Sequence, residues 1–302
     1  MNFTNLRGEV RLQEPMSRHT SYQIGGPADA FVVPADRGDL LALMAEIRER
    51  NLRFLVLGGG TNLLVRDGGF RGVVVSLRNM AAISITREYR SVGGSYAVLS
   101  AEAGASLARL MNFSVEHELT GLEFAAGIPG TVGGALCMNA GTSRGEIGDV
   151  TDAVTLLTPS GDLVLRHHDE MGFGYRTANV PPGQVIVEAK LILRKGERER
   201  IKERISELMA GRKERQPWGL PNAGSVFKNP LDEAAGKLIE QAGLKGFAVG
   251  RAQISEKHGN FIVNLGGATA ADVLKLMEVV KERVLEMHQV RLEPEIKIIG
   301  ED

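Results

Sequence analysis

The stretch Leu55-Val56-Leu57-Gly58-Gly59-Gly60-Thr61-Asn62-Leu63-Leu64-Val65-Arg66-Asp67 constrains this chain more than any other. Phe54 to Leu57 is an apolar run that reads as a buried strand. Three glycines end it, a second apolar run follows, and Asp67-Gly68-Gly69 marks a turn. With no Cβ at three successive positions, the backbone can approach a ligand closely. It can also take φ > 0, so that successive N–H groups converge on an anion. Thr61 and Asn62 add side-chain donors. The same residues suit a wide glycine-rich hairpin turn that binds nothing. Common nucleotide motifs are absent: Leu63 stands where the third glycine of G-x-G-x-x-G would fall, and no G-x-x-x-x-G-K-[ST] occurs. Rossmann and P-loop readings are therefore disfavoured, and a pyrophosphate would be held another way.

Composition narrows the classes. A length of 302 residues suits two or three domains with a sizeable core. Lys and Arg total 36 against 37 Asp and Glu, so no basic field draws the chain to nucleic acid. The single cysteine, Cys137, excludes an internal disulfide and fits a reducing compartment. It sits in an apolar run and reads as a buried structural thiol. Six histidines show no ligand spacing, so no metal site is expected. No run reaches the ~18 apolar residues of a membrane span, and no signal-peptide pattern is present. We expect a cytoplasmic protein without membrane insertion or an obligatory protein partner.

The apolar pattern divides the chain into three segments. Residues 1–80 read as a small α/β unit. It has a strand from Ala30 to Val33, a helix from Asp39 to Asn51 and a last strand from Gly72 to Leu77. The first residues, to about Ser17, show weak periodicity and are expected to wrap over the body. Residues 81–195 form a second, strand-rich lobe. In it are a strand from Tyr96 to Ala103, a helix capped by Ser106, and a hairpin around Pro159-Ser160-Gly161-Asp162. Val185 to Leu193 is its long strand. A charged helix begins near Gly196, and residues 196–302 read as a separate α+β unit. There Thr269 and Asp272 resemble a capping box, and Leu292 to Ile299 alternates like a strand.

Four further stretches could carry chemistry. Gly121 to Gly141 is apolar but rich in glycine, and could pack a flat aromatic cofactor or simply allow a tight helix start at Pro129. Two glycine-rich loops suggest one large ligand bridging them. Phe173-Gly174-Tyr175-Arg176 offers an arginine fork suited to a carboxylate or enolate, or a surface arginine stacked on Tyr175. Ala223-Gly224-Ser225-Val226-Phe227-Lys228-Asn229-Pro230 places a hydroxyl near an ammonium, or is an ordinary loop. Glu295 lies on a strand and could face a cleft or solvent.

In order along the chain, TSYQIGGPAD, LGGGTNLLVRD, GLEFAAGIPGTVGGALCMNAG, FGYR, AGSVFKNP, KLIEQAGLKG, SEKHGNFIVN and LEPEIKIIG resemble the UDP-N-acetylenolpyruvoylglucosamine reductase family. The resemblance runs from about Arg18 to the C-terminus. The short stretch between Arg176 and Val185 resembles the branch without an extra substrate-capping loop. It implies an α+β fold: a two-lobed FAD-binding domain of the vanillyl-alcohol oxidase type, then a smaller substrate domain. It also implies non-covalent FAD, NADPH as co-substrate and a UDP-sugar substrate. By family motif, Arg176, Ser225 and Glu295 are the catalytic set. The implied flavin contacts are Leu57, Gly58, Gly59, Gly60, Thr61, Asn62 and Leu63 in the first loop. In the second they are Gly121, Ala126, Gly127, Pro129, Gly130, Gly133, Gly134 and Asn139. Tyr175, Lys228 and Asn229 are implied for substrate. Two residues depart from the family pattern, Ala178 in place of the common serine and the bulky Arg144. A flavin-dependent alcohol oxidase and a non-catalytic nucleotide-sugar-binding module are the rival readings.

Overall fold

The computed structural model describes Phe3 and residues 6–302. Contacts gather the chain into two compact units. One holds the chain up to Arg11, Phe31–Gly59 and Val73–Gly211; the other holds Leu12–Ala30, Gly60–Gly72 and Arg212–Asp302.

The first unit is built on an antiparallel sheet. Its strands run in the spatial order Leu163–His167, Thr151–Leu157, Val185–Lys195, Gly94–Glu102 and Ile83–Ser91. Val185–Lys195 is central, and its residues from Val185 to Val187 are all buried, as expected for a strand covered on both faces. Ile83–Ser91 was not expected as a strand. It pairs with Gly94–Glu102 through a two-residue turn, with Ser91 opposite Gly94 and Gly93 at φ 102°. Its residues are mostly exposed, so little apolar contrast marks it in the sequence.

Two of this unit's helices show how their starts are set. Arg37–Glu49 starts earlier than expected, because Asp36 is the N-cap and accepts from the Asp39 N–H at 3.0 Å. Asp39 is instead a buried acceptor for the N–H groups of Arg7, Gly8 and Ala35, each at 2.9 Å. Leu40, Leu43, Met44 and Ile47 form its buried face. Leu107–Glu116 begins at the expected cap, Ser106.

The second unit packs helix Ala270–His288 against strands Asn222–Ser225, Phe261–Asn264, Ala252–Ile254 and Ala248–Val249. The helix opens with the expected capping box of Thr269 and Asp272. Asp67, distant in sequence, also accepts from the Ala270 and Ala271 N–H groups, at 2.8 and 3.0 Å. Carboxylates near a helix N-terminus are favourable.

Four expectations are corrected. The first glycine stretch is not a hairpin: Phe54–Leu57 pairs in parallel with Phe70–Ser76, and Leu63–Val65 pairs in parallel with Lys297–Ile299. Phe54–Leu57 is also less buried than its composition suggests, with only Leu57 fully buried. The initial residues include a strand, Glu9–Pro15, whose burial pattern hides any periodicity. Of Leu292 to Ile299, only Lys297–Ile299 is strand. Leu292 and Ile296 are buried as the alternation implied, but the segment between them bonds to residues 226–228 rather than to a ladder.

Candidate active site

The backbone next to Ser225 meets the segment that carries Glu295 within the second unit. Ser225 ends strand Asn222–Ser225, opposite Phe261. Gly224 before it takes φ 75°, a conformation glycine adopts without steric cost. The Glu295 N–H donates to the Val226 carbonyl at 2.8 Å, and the Lys228 N–H donates to the Glu293 carbonyl at 2.9 Å. Asn62 was expected at a phosphate. Its side-chain amide donates to the Glu295 carbonyl at 3.1 Å, and its own carbonyl accepts from the Lys297 N–H at 3.0 Å. The tail of the first glycine loop therefore positions the glutamate segment.

The motif around Ser21 completes this frame. The Ser21 hydroxyl donates to the Asn222 carbonyl at 2.6 Å, and its N–H donates to the Gly60 carbonyl at 3.0 Å. Gly60 is held so tightly that a Cβ would lie 2.0 Å from the His19 carbonyl oxygen. Lys228 does not lean toward Ser225: its ammonium pairs with Glu293 at 3.3 Å, and both are exposed. Asn229 caps a helix, accepting from the Ala235 N–H at 3.1 Å.

Arg176 belongs to the first unit. Gly174 and Thr177 exchange both backbone hydrogen bonds at 3.1 Å, and this tight turn carries Tyr175 and Arg176. Arg176 sits at φ 57°, a left-handed conformation that costs a non-glycine residue ~1–3 kcal/mol and clusters at functional sites. Its guanidinium donates to the Gly141 carbonyl at 3.2 Å and lies 5.3 Å from the Tyr175 ring. Asn139 is fully buried and secures this arrangement. Its amide donates to Glu146 at 2.6 Å and to the Gly174 carbonyl at 3.1 Å, and its oxygen accepts from the Gly148 N–H at 3.0 Å. Asn139 thus holds the arginine turn against the second glycine stretch with every polar atom engaged by protein.

The two glycine-rich stretches touch within the first unit. A Cβ at Gly58 would lie 2.7 Å from the Thr131 hydroxyl and 3.6 Å from Gly134 Cα. The helix in the second stretch is Val132–Cys137, starting after Thr131 rather than at Pro129; Thr131 is its N-cap. The Gly133 N–H is engaged, donating to the Ala103 carbonyl at 2.9 Å.

Around this junction lies a cavity of about 100 Å³. Among the expected flavin contacts, Leu57, Gly58, Gly133 and Gly134 line it. Ser76, Leu77, Arg78, Ala103, Gly104, Thr131, Val180, Gln184, Val185 and Ile186 also line it and were not foreseen. Cys137 lines it too and is only half-buried, which corrects the expectation of a buried thiol. Gln184 carries a buried side-chain oxygen with no hydrogen-bond partner. Bare glycine backbone, apolar walls and an orphaned acceptor together fit one part of a flavin dinucleotide. Gly59 is exposed beside it. Ala126 is buried, and Gly127, Pro129 and Gly130 lead into the helix cap without lining the cavity.

A larger depression in this unit, about 770 Å³, is of another kind. It is open, and Arg144, Arg194, Lys195, Arg200 and Arg204 line it. Of the expected flavin contacts only Gly121 reaches it. The smaller cavity, where the glycine loops meet, is the better cofactor site. Among the described residues no group of three His, Cys, Asp or Glu is placed to hold a metal ion. No described helix is long and apolar enough to cross a membrane.

Gly58→Val is expected to give a folded but colourless protein. The new side chain displaces the Thr131 hydroxyl, and loss of a cap costs ~0.5–2 kcal/mol, little against a usual stability of ~5–15 kcal/mol. The same side chain closes the cavity. Visible absorbance at equal protein concentration reads the flavin content; full occupancy would remove this loop from the cofactor site.

The fold and the site define a two-part α+β flavoprotein of the FAD-binding class. A family model described as "FAD binding domain" matches residues 28–165, and one described as "UDP-N-acetylenolpyruvoylglucosamine reductase, C-terminal domain" matches residues 216–299. The chain belongs to the UDP-N-acetylenolpyruvoylglucosamine reductase family. It is 46% identical over 297 residues to the reductase of that name from Geotalea uraniireducens, covering 98% of this chain and 96% of the relative. It is 48% identical over 295 residues to that from Syntrophus aciditrophicus, covering 98% and 93%. The crystal structure of the reductase (MurB) from Thermus caldophilus is similar with a TM-score of 0.80 at 37% identity, over 97% of this chain and 99% of that one.

Proposed function

We propose that this chain reduces the enolpyruvyl group of UDP-N-acetylenolpyruvoylglucosamine to give UDP-N-acetylmuramate, using NADPH and bound FAD, in peptidoglycan precursor synthesis. The observation that supports this reading is the bond from the Glu295 N–H to the Val226 carbonyl, which brings the glutamate segment beside the residue that follows Ser225. A hydroxyl and a carboxyl on adjoining backbones suit a reaction that must both stabilise and protonate a carbanion-like centre.

Bound FAD supplies a hydride relay between NADPH and the terminal carbon of the enolpyruvyl group. Arg176, and Glu295 in its protonated, hydrogen-bond-donating form, steady the negative charge that develops at the neighbouring carbon and spreads into the carboxylate. A guanidinium offers five N–H donors in a planar fork, and the bond to Gly141 uses one of them. Ser225 delivers the proton to carbon. Gly59 and the loop beyond it leave room for the cofactor pyrophosphate, and Leu57, Gly58, Gly133 and Gly134 wall the cavity that takes one end of the dinucleotide. Tyr175, Lys228 and Asn229 take substrate, with Lys228 and Asn229 serving the UDP diphosphate.

In this reading residues 1–80 and 81–195 supply the flavin lobes and 196–302 the substrate domain. The protein works in the cytoplasm on a diffusible UDP-sugar, without an obligatory protein partner. The test is direct. NADPH alone should bleach the yellow protein, and the enolpyruvyl substrate should then restore the oxidised spectrum. Reoxidation by oxygen with no response to that substrate would sink the proposal in favour of an oxidase.

A further inference from the structure

Pro181-Pro182-Gly183-Gln184 folds as a tight turn. The Gln184 N–H donates to the Pro181 carbonyl at 3.1 Å, and Gly183 takes φ 76°. Proline before a glycine with positive φ is the signature of a type II turn. The turn leads straight into strand Val185–Lys195, so Gln184 is anchored on both sides. Its side chain helps to line the cavity beside Val180, Val185 and Ile186. Its Oε1 is buried and accepts no hydrogen bond. Such an oxygen is costly to keep, and a ligand donor that reaches it removes the cost.

The kind of donor follows from the cavity. At about 100 Å³ it is smaller than the ~300–1,000 Å³ that encloses a whole drug-sized ligand, so it takes one part of a dinucleotide. A phosphate is repelled by a bare carbonyl oxygen, and Arg78, which also lines the cavity, is already paired with Glu9. Gly141, Tyr175 and Arg176, around which the reacting ring must lie, do not line the cavity. The sugar hydroxyls are donors too, but they flank the phosphates and the reacting ring; the part left is the purine end, whose exocyclic amine is a donor. Resting on the flavin reading above, we infer that Gln184 accepts a hydrogen bond from the adenine amine of FAD and selects the adenine dinucleotide over flavins lacking that amine.

The experiment titrates flavin-free protein, wild type and Gln184→Met, and follows flavin fluorescence. Three flavins serve as probes: FAD, its hypoxanthine analogue, in which oxygen replaces the amine, and FMN, which has no purine. Methionine keeps the length of glutamine without its amide. Wild type should bind FAD about three- to tenfold tighter than the hypoxanthine analogue, the usual net worth of one hydrogen bond. Gln184→Met should lose that preference and leave FMN affinity unchanged. The inference is overturned if wild type does not distinguish FAD from the analogue, if Gln184→Met still does, or if FMN binding weakens as much as FAD binding. The wild-type comparison stands alone should the variant fold poorly. A wild type that binds no flavin overturns the flavin reading itself, and this inference with it.

Discussion

Ser225→Ala should retain FAD, still be bleached by NADPH, and turn over ~10²–10⁴-fold more slowly, the usual contribution of a positioned acid. Hydride transfer leaves negative charge on the substrate, and carbon must be protonated within the site. Ser225 is half-buried, at the end of an edge strand paired with Phe261–Asn264. Its environment sharpens the test. Lys228 lies close in sequence but pairs with the exposed Glu293, so Lys228→Ala should slow protonation far less than Ser225→Ala. Ser225→Cys keeps a removable proton and should recover part of the lost rate. Rapid mixing of NADPH-reduced variant with substrate in deuterated solvent isolates the step. Reoxidation at the wild-type rate in Ser225→Ala would assign the proton to a water or to another side chain.

Arg176→Lys should slow substrate reduction ~10²–10³-fold, the range for loss of one preorganised donor to developing charge. It should leave bleaching by NADPH nearly intact. Lysine keeps the charge but lacks the planar fork. It also cannot both reach the Gly141 carbonyl and present a second parallel donor. The backbone at φ 57° is equally unfavourable for either side chain, so the change isolates the head group from the turn. Equal slowing of the two half-reactions would place Arg176 with NADPH or with the fold instead. Asn139→Ala gives the complementary control. It removes the bond to the Gly174 carbonyl at 3.1 Å and loosens the turn without touching the guanidinium. A buried network loses ~1–3 kcal/mol when one partner goes, so thermal stability should fall along with the rate.

Helix caps, turns and long strands were legible because their causes are local. Ser106 and the Thr269–Asp272 pair cap the helices they were expected to cap, since a cap needs only residues within one turn. The strand Ile83–Ser91 was not legible: an exposed strand shows no apolar alternation, and its pairing partner supplies the order. The same limit applies to Asn62 and Asp67. Asn62 read as a possible donor to a ligand and Asp67 as a turn residue; they bond to Glu295 and to a helix more than 200 positions away. Gln184 had a readable signal in Pro181-Pro182-Gly183, which announces a rigid turn before a strand. Nothing in that signal says that the amide oxygen ends up buried without a donor.

From the sequence alone came the need for glycine at two loops, most element types, and, through motif order, the family. These follow from steric limits at single positions and from chemistry that few side chains can perform. Tertiary structure decided which segments share a core. Leu12–Ala30 and Gly60–Gly72 join the C-terminal residues in one unit, because Tyr22, Ile24 and Leu64 bury their apolar surface with Phe227, Val280 and Ile296. It also decided that the Glu295 N–H meets the Val226 carbonyl and that Thr131 closes on Gly58. Such contacts depend on long loops closing and on backbone groups finding partners far along the chain, and no local pattern encodes which distant partner is found.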